Sequence, residues 1–241
     1  RKKTYWYLLE EPNLINKLTY RVMNFLFKFE VLSISKKICK DYKILNFQYF
    51  PPYIQSQKIK LGKISKSPLK ILSVGNVNKV KNHFFALESL SKYNSEFQYD
   101  VIGAKLNTQS NLFRSIKKYI KLQNLSKSIR FLGYKNQREI KRITKKKDIF
   151  LLPSLTEGCP ISLLEALSMG KICVCSKVGD IPLILKNNTN GFLIDLNEKS
   201  LNKTLDKIIN MDQKSLKNIQ LNAIKTVKKY FSKKEHYKFI F

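Results

Sequence analysis

The chain has 241 residues, 43% of them hydrophobic, enough to bury a core and too many for a disordered polymer. Its 46 Lys+Arg against 17 Asp+Glu give a formal charge of +29, a surface that attracts phosphate-rich partners. The lysines are spread along the whole chain without an arginine-rich tract, an aromatic-basic motif or zinc-finger spacing, so they read as solvated positions, and nucleic acid ranks last as a partner.

The first residue is Arg, not Met, and the first ten residues already read as structure, so the chain is expected to be truncated. No signal peptide is visible and no apolar run is long enough to span a bilayer. The expected location is the cytoplasm, with the inner face of the membrane as a peripheral site. Residues 14–29 follow a helical period, with Leu14, Leu18, Val22, Phe25, Leu26 and Phe29 on one face and Lys17, Arg21 and Lys28 on the other. That stripe is read as core packing in preference to contact with an anionic membrane surface.

A strand is expected at 31–34, a basic helix at 36–42, and an approach through Pro51 and Pro52 to a linker at 55–68. Beyond it strands and helices alternate. Strands are read at 69–74, 99–102, 129–132, 149–153, 172–176 and 191–194. Helices are read at 82–90, 112–122, 137–146, 161–169, 198–210 and 215–230. Gly75, Gly103 and Gly133 close the first three strands. This alternation predicts an α/β fold with a Rossmann-like, doubly wound parallel sheet, preceded by a partial N-terminal domain. The division expected is 1–66 for that remnant plus linker, and 67–241 for the ligand-binding domain. Ligands of such sheets bind beyond the carboxyl ends of the strands.

Four cysteines occur, Cys39, Cys159, Cys173 and Cys175, and Cys-Val-Cys in an apolar run reads as buried strand. No metal-ligand pattern accompanies them, and His83 and His236 lie far apart, so no metal is expected. The most informative stretch is Pro153-Ser154-Leu155-Thr156-Glu157-Gly158-Cys159-Pro160-Ile161-Ser162-Leu163-Leu164-Glu165-Ala166. Here a strand enters a loop with an acid and a glycine, and Pro160 suits the first position of a helix. The loop then offers backbone N–H groups at a helix N-terminus, where anions bind. Glu165, leaning back along its helix, is expected to face the same pocket as Glu157. Alone, either glutamate reads better as a cap or a surface residue.

As a string, this stretch resembles the signature of glycosyltransferase family 4, the paired-glutamate motif of retaining GT-B enzymes. Leu72-Ser73-Val74-Gly75 with Lys81-Asn82-His83, then Asp100 to Gly103 and Ile129 to Gly133, are similar to that family's successive strands and loops. Val178-Gly179-Asp180-Ile181-Pro182 and Asn190-Gly191-Phe192 resemble its closing loops. The resemblance implies a nucleotide-diphosphate-sugar donor, a glycan or lipid-linked acceptor, retention of configuration, and no cofactor. It implies that Glu165 holds the ribose hydroxyls and that Glu157 lies at the donor sugar as the catalytic carboxylate. Lys81 would neutralise the departing diphosphate, with Gly75 and Asn76 in the phosphate loop. Backbone N–H groups of Gly158, Cys159 and Ile161, around Pro160, would meet sugar or phosphate oxygens at the helix end. His83 reads as a helix-start residue.

Three positions depart from the family. Asn76 stands where Arg is usual, Leu183 where Glu is usual, and Cys159 where a bulkier apolar residue is common. Lys79 is a candidate to replace the missing cation. The alternative reading is a non-catalytic or incomplete nucleotide-sugar-binding module.

Overall fold

The computed structural model describes residues 5–8, 19, 22, 30–41, 47–55, 59–93, 96–105 and 107–238. The helix expected at 14–29 lies outside the described residues, apart from Thr19 and Val22, both helical. Among the described residues the strands form two parallel sheets.

The first sheet holds β1 (Tyr5–Leu8), β2 (Glu30–Ser33) and β3 (Gln48–Tyr49) in that order. Between β2 and β3 runs α1 (Lys36–Asp41), the basic helix expected there. The Pro-Pro approach follows, and 59–66 carries no regular structure. This linker is nevertheless fastened. The Gln213 amide accepts from Ile64 N–H at 3.1 Å and donates to Ile64 C=O at 3.0 Å, and Ile64 is buried.

The second sheet comprises β4 (Leu69–Val74), β5 (Phe97–Ile102), β6 (Ile129–Phe131), β7 (Ile149–Leu152), β8 (Ile172–Ser176) and β9 (Phe192–Ile194). All pairs are parallel, in the order β6-β5-β4-β7-β8-β9. Counted from β4, this is the 3-2-1-4-5-6 order of doubly wound sheets, whose topological switch point lies between the first and fourth strands. Here those strands are β4 and β7.

Period-two alternation explains why β7 and β8 are apolar at nearly every position. Ile149, Leu151, Ile172 and Val174 enter a core shared with α2 (His83–Ser91), α3 (Ser110–Leu122) and α7 (Glu198–Asn210). Phe150, Leu152, Cys173 and Cys175 enter the opposite core with α5 (Ile161–Ser168), α6 (Ile181–Ile184) and α8 (Gln213–Tyr230). The Cys-Val-Cys segment is thus a fully buried strand with free thiols, and burial pushes the Cys173 and Cys175 thiols up.

Asp100 in β5 is the buried charge of this sheet. Arg130 grips it with two hydrogen bonds of 2.9 Å, and Lys147 Nζ lies 2.9 Å from it. Burial alone would raise the Asp100 pKa, but these two cations outweigh it and hold the carboxyl below its ordinary value.

Two short helices escape the sequence periodicity, α6 and α9 (Lys233–Tyr237). Each is too brief to show a repeating apolar face. The remaining helix, α4 (Gln137–Lys145), starts where expected. No helix of the described residues is long and apolar enough to cross a membrane.

Candidate functional site

The loops leaving β4 and β7 meet at the switch point. Gly75 N–H donates to Ile102 C=O at 2.8 Å, carrying the first loop past the end of β5. Asn78 Oδ1 accepts from Lys81 N–H at 2.9 Å, and Asn82 turns the chain into α2 with φ 50. A Cβ on Gly75 would lie 3.1–3.2 Å from the Lys81 stem, so the glycine leaves room for that side chain to lie back across the loop. Leu155 N–H donates to Val80 C=O at 2.8 Å and ties the β7 loop to the β4 loop.

The result is a tight ionic contact. Lys81 Nζ lies 2.6 Å from Glu157 Oε1, and Ser154 Oγ donates to the same oxygen at 2.6 Å. The Glu157 side chain is only 9% exposed. A part-buried pair of this kind is screened less than a surface pair and holds both groups in one geometry.

The backbone beneath Glu157 is held from the far side. Gly179 adopts φ +54, and a Cβ there would sit 1.9 Å from Glu157 C=O. Asp180 N–H donates to Gly158 C=O at 2.9 Å. Cys159 is buried, and burial raises its thiol pKa, with the Asp180 charge adding to the effect. Helix α5 opens at Ile161 as read, and Pro160 proves to be its N-cap residue, one place before the first helical position expected for it. This suits proline equally, because the N-cap needs a non-helical ψ and only its carbonyl takes part in the helix. No side chain caps α5, and Leu163 N–H turns back to Pro160 C=O at 3.1 Å, so the Ile161 and Ser162 N–H groups are those the helix start offers to an anion.

Glu165 and Ile161 line a cleft of about 290 Å³ together with Gln137, Val74 and Tyr53. Gln137 Nε2 donates to Glu165 Oε1 at 2.6 Å. The position of Gln137 is set by a capping box at the start of α4, where Asn136 and Glu139 exchange bonds of 2.9 and 3.1 Å. Glu157 does not line this cleft. The two glutamates therefore occupy adjoining spaces, Glu165 beside an open cleft and Glu157 against Lys81. Tyr134, 76% exposed, follows the β6 glycine on the approach to α4.

His83, the first residue of α2, lies beneath the β4 loop with Nε2 3.4 Å from Gly75 C=O. Burial, with help from the Lys81 charge, lowers its pKa to about 4, so the ring is neutral at pH 7. Asn76 Oδ1 accepts from Ala104 N–H at 3.3 Å and joins the β4 and β5 loops. Leu183 is 55% exposed. The buried carboxylate of this region is Asp180, three residues earlier, to which sequence reasoning assigns no role. Ser154 and Gln137 were likewise missed. The Asn-x-x-Glu spacing at 136–139 is the one local signal that could have drawn attention to Gln137.

A family model for glycosyl transferases group 1 matches residues 55–226. The amylovoran biosynthesis glycosyltransferase AmsK of Erwinia amylovora is 35% identical over 144 residues, 56% of this chain and 34% of that protein. An Escherichia coli enzyme, UDP-Gal:alpha-D-GlcNAc-diphosphoundecaprenol alpha-1,3-galactosyltransferase, is 37% identical over 120 residues, 47% of this chain and 30% of its own length. The chain thus matches about a third of the length of these relatives. Among solved structures, Anabaena HepE in complex with UDP and glucose superimposes with TM-score 0.85 at 16% identity, covering 100% of this chain and 70% of that one. The C-terminal domain of LpcC from Francisella tularensis superimposes with TM-score 0.61 at 24% identity, covering 70% of this chain and 89% of that one.

Proposed function

The chain belongs to the glycosyl transferases group 1, and from that premise we propose that its switch-point loops bind a nucleotide-diphosphate sugar and transfer the sugar with retention of configuration. The observation that carries the reading is the pairing of Lys81 with Glu157 at 2.6 Å, next to the uncapped start of α5 and the cleft at Glu165. These groups match the charges of the reaction. When the bond between the anomeric carbon and the phosphate oxygen breaks, the electron pair leaves with the diphosphate and positive charge grows on the carbon. Lys81 and the α5 N–H groups stabilise the departing anion, and Glu157 stabilises the carbon. The acceptor hydroxyl oxygen forms the new bond, and its proton passes to the leaving phosphate. Glu165, held by Gln137, accepts hydrogen bonds from the ribose hydroxyls. In this scheme neither metal nor cofactor is required, because protein cations meet the diphosphate charge.

Donor binding on this reading is a charge exchange. Without a donor, the Glu157 carboxylate competes with phosphate for Lys81. As the diphosphate arrives it draws Lys81 away, and the freed carboxylate turns to the sugar. UDP is the nucleotide to try first, because the HepE structure contains it. A glycan or lipid-linked acceptor is supported by the diphosphoundecaprenol named for the E. coli relative, and the setting proposed is surface-polysaccharide assembly at the inner face of a membrane.

The exchange is tested with Glu157→Gln. Removing the competing charge is expected to leave bare UDP bound at least as tightly as in the parent chain, while the extra affinity for a UDP-sugar over UDP disappears. If the variant loses UDP and UDP-sugar affinity in equal measure, Glu157 is no sugar-side group and the reading fails.

A further inference from the structure

Asp180 is 3% exposed and belongs to none of the roles above. Its carboxylate accepts hydrogen bonds from three groups more than a hundred residues away in sequence. Ser35 Oγ donates to Oδ1 at 2.9 Å, Lys36 N–H to Oδ2 at 2.7 Å and Lys37 N–H to Oδ1 at 2.9 Å. Ser35 Oγ in turn accepts from Ile38 N–H at 3.2 Å. The Lys36 and Lys37 N–H groups in the first turn of α1, which no residue within the helix can satisfy, are thus met by an acid from the loop between β8 and α6. A buried carboxylate answered by three donors is a strong, directional link, because leaving any of them unpaired costs the full desolvation of that group.

The other side of the same residue grips the ionic site. Asp180 N–H donates to Gly158 C=O, and Gly179, at φ +54, lets the chain lie directly against Glu157 C=O. One dipeptide therefore touches both the start of α1 and the backbone of the residue that pairs with Lys81. No other contact described above joins these two regions so directly.

We propose that Asp180 is a positioning residue, which fixes the Glu157–Gly158 loop to the Ser35–Lys37 turn so that the two move as one body. The substrate that this loop holds rests on the donor-site reading above; the mechanical link does not. Through it, the placement of α1 sets how Glu157 faces Lys81, and the N-terminal sheet is coupled to donor affinity without touching the donor.

Two variants and two readouts test the link. Asp180→Ala removes the clasp at its centre. Ser35→Ala loosens it from the α1 side, at a residue outside the Glu157–Gly158 loop. Hydrogen exchange is followed at the amides of Glu157, Gly158 and Cys159, with Leu205 in α7 as a remote control, and UDP affinity is measured well below the melting temperature. Asp180→Ala is expected to speed exchange across 157–159 and to weaken UDP by at least about tenfold each, the size of losing a hydrogen bond to a charged group. Ser35→Ala should move both in the same direction by less, with Leu205 unchanged. Faster exchange confined to 36–38 and 180, with 157–159 still protected and UDP affinity intact, overturns the proposal. If Asp180→Ala does not fold, Ser35→Ala decides by the same criteria. If the parent chain binds no UDP, the donor-site reading fails and the exchange data alone decide the link.

Discussion

His83 combines a polar ring with almost complete burial, and the consequence is a pH dependence of known sign. In the unfolded chain its imidazole takes a proton below about pH 6.5, whereas in the folded chain it stays neutral down to about 4. Between those values the unfolded state binds more protons, so stability rises with pH. The contribution is fully present above pH 6.5 and is lost as pH falls to 4, about 3 kcal/mol in all. Denaturant melts of the parent chain and His83→Gln at intervals across that window should differ by a steadily changing amount. Parallel curves would mean that the ring is not held neutral. At the same scale, Lys81 is legible from its place after the first strand, but its partner atoms are not. Lys81 Nζ and Ser154 Oγ meet on Glu157 Oε1 through a loop-to-loop bond between Val80 and Leu155 that no local pattern announces.

At the scale of the element, the β7–α5 loop is shaped by a second loop packed against it. Gly179 is the contact where no other residue serves, because its φ is +54 and any Cβ would collide with Glu157 C=O at 1.9 Å. Gly179→Ala should cost at least about 2 kcal/mol of stability and weaken nucleotide binding even where the chain remains folded. Unchanged melting and unchanged affinity would remove Gly179 from this account. The strands and long helices around these loops were readable for simple reasons. Two-sided burial makes β7 and β8 apolar at nearly every position, and glycines mark the ends of the first three strands. By contrast, α6 spans four residues and shows no period, and Phe97 and Gln98 extend β5 by pairing with Leu69 and Lys70, a gain that only the neighbouring strand reveals. The Asp180–Ser35 clasp and the Asp100–Arg130–Lys147 cluster were also invisible, since each joins segments whose sequence neighbourhoods say nothing of one another.

For the whole molecule, strand–helix alternation predicts the parallel doubly wound sheet, and the strand order the structure adds places the β4 and β7 loops side by side. That is why residues 76 positions apart, Lys81 and Glu157, form one ionic contact. The formal charge of +29 provides a general attraction for phosphate, so affinity by itself does not identify a site on this surface. Selectivity does, because screened surface lysines respond alike to any polyanion whereas a built site responds to particular substitutions. The decisive measurement is a calorimetric titration of UDP and UDP-sugars into the parent chain, Lys81→Ala and Glu165→Ala at physiological salt. The account predicts saturable one-to-one binding that Lys81→Ala weakens by about 10- to 100-fold, the loss of a charge-assisted bond, and that Glu165→Ala also weakens. Binding that survives both substitutions, or a folded parent chain that binds no nucleotide, would contradict it.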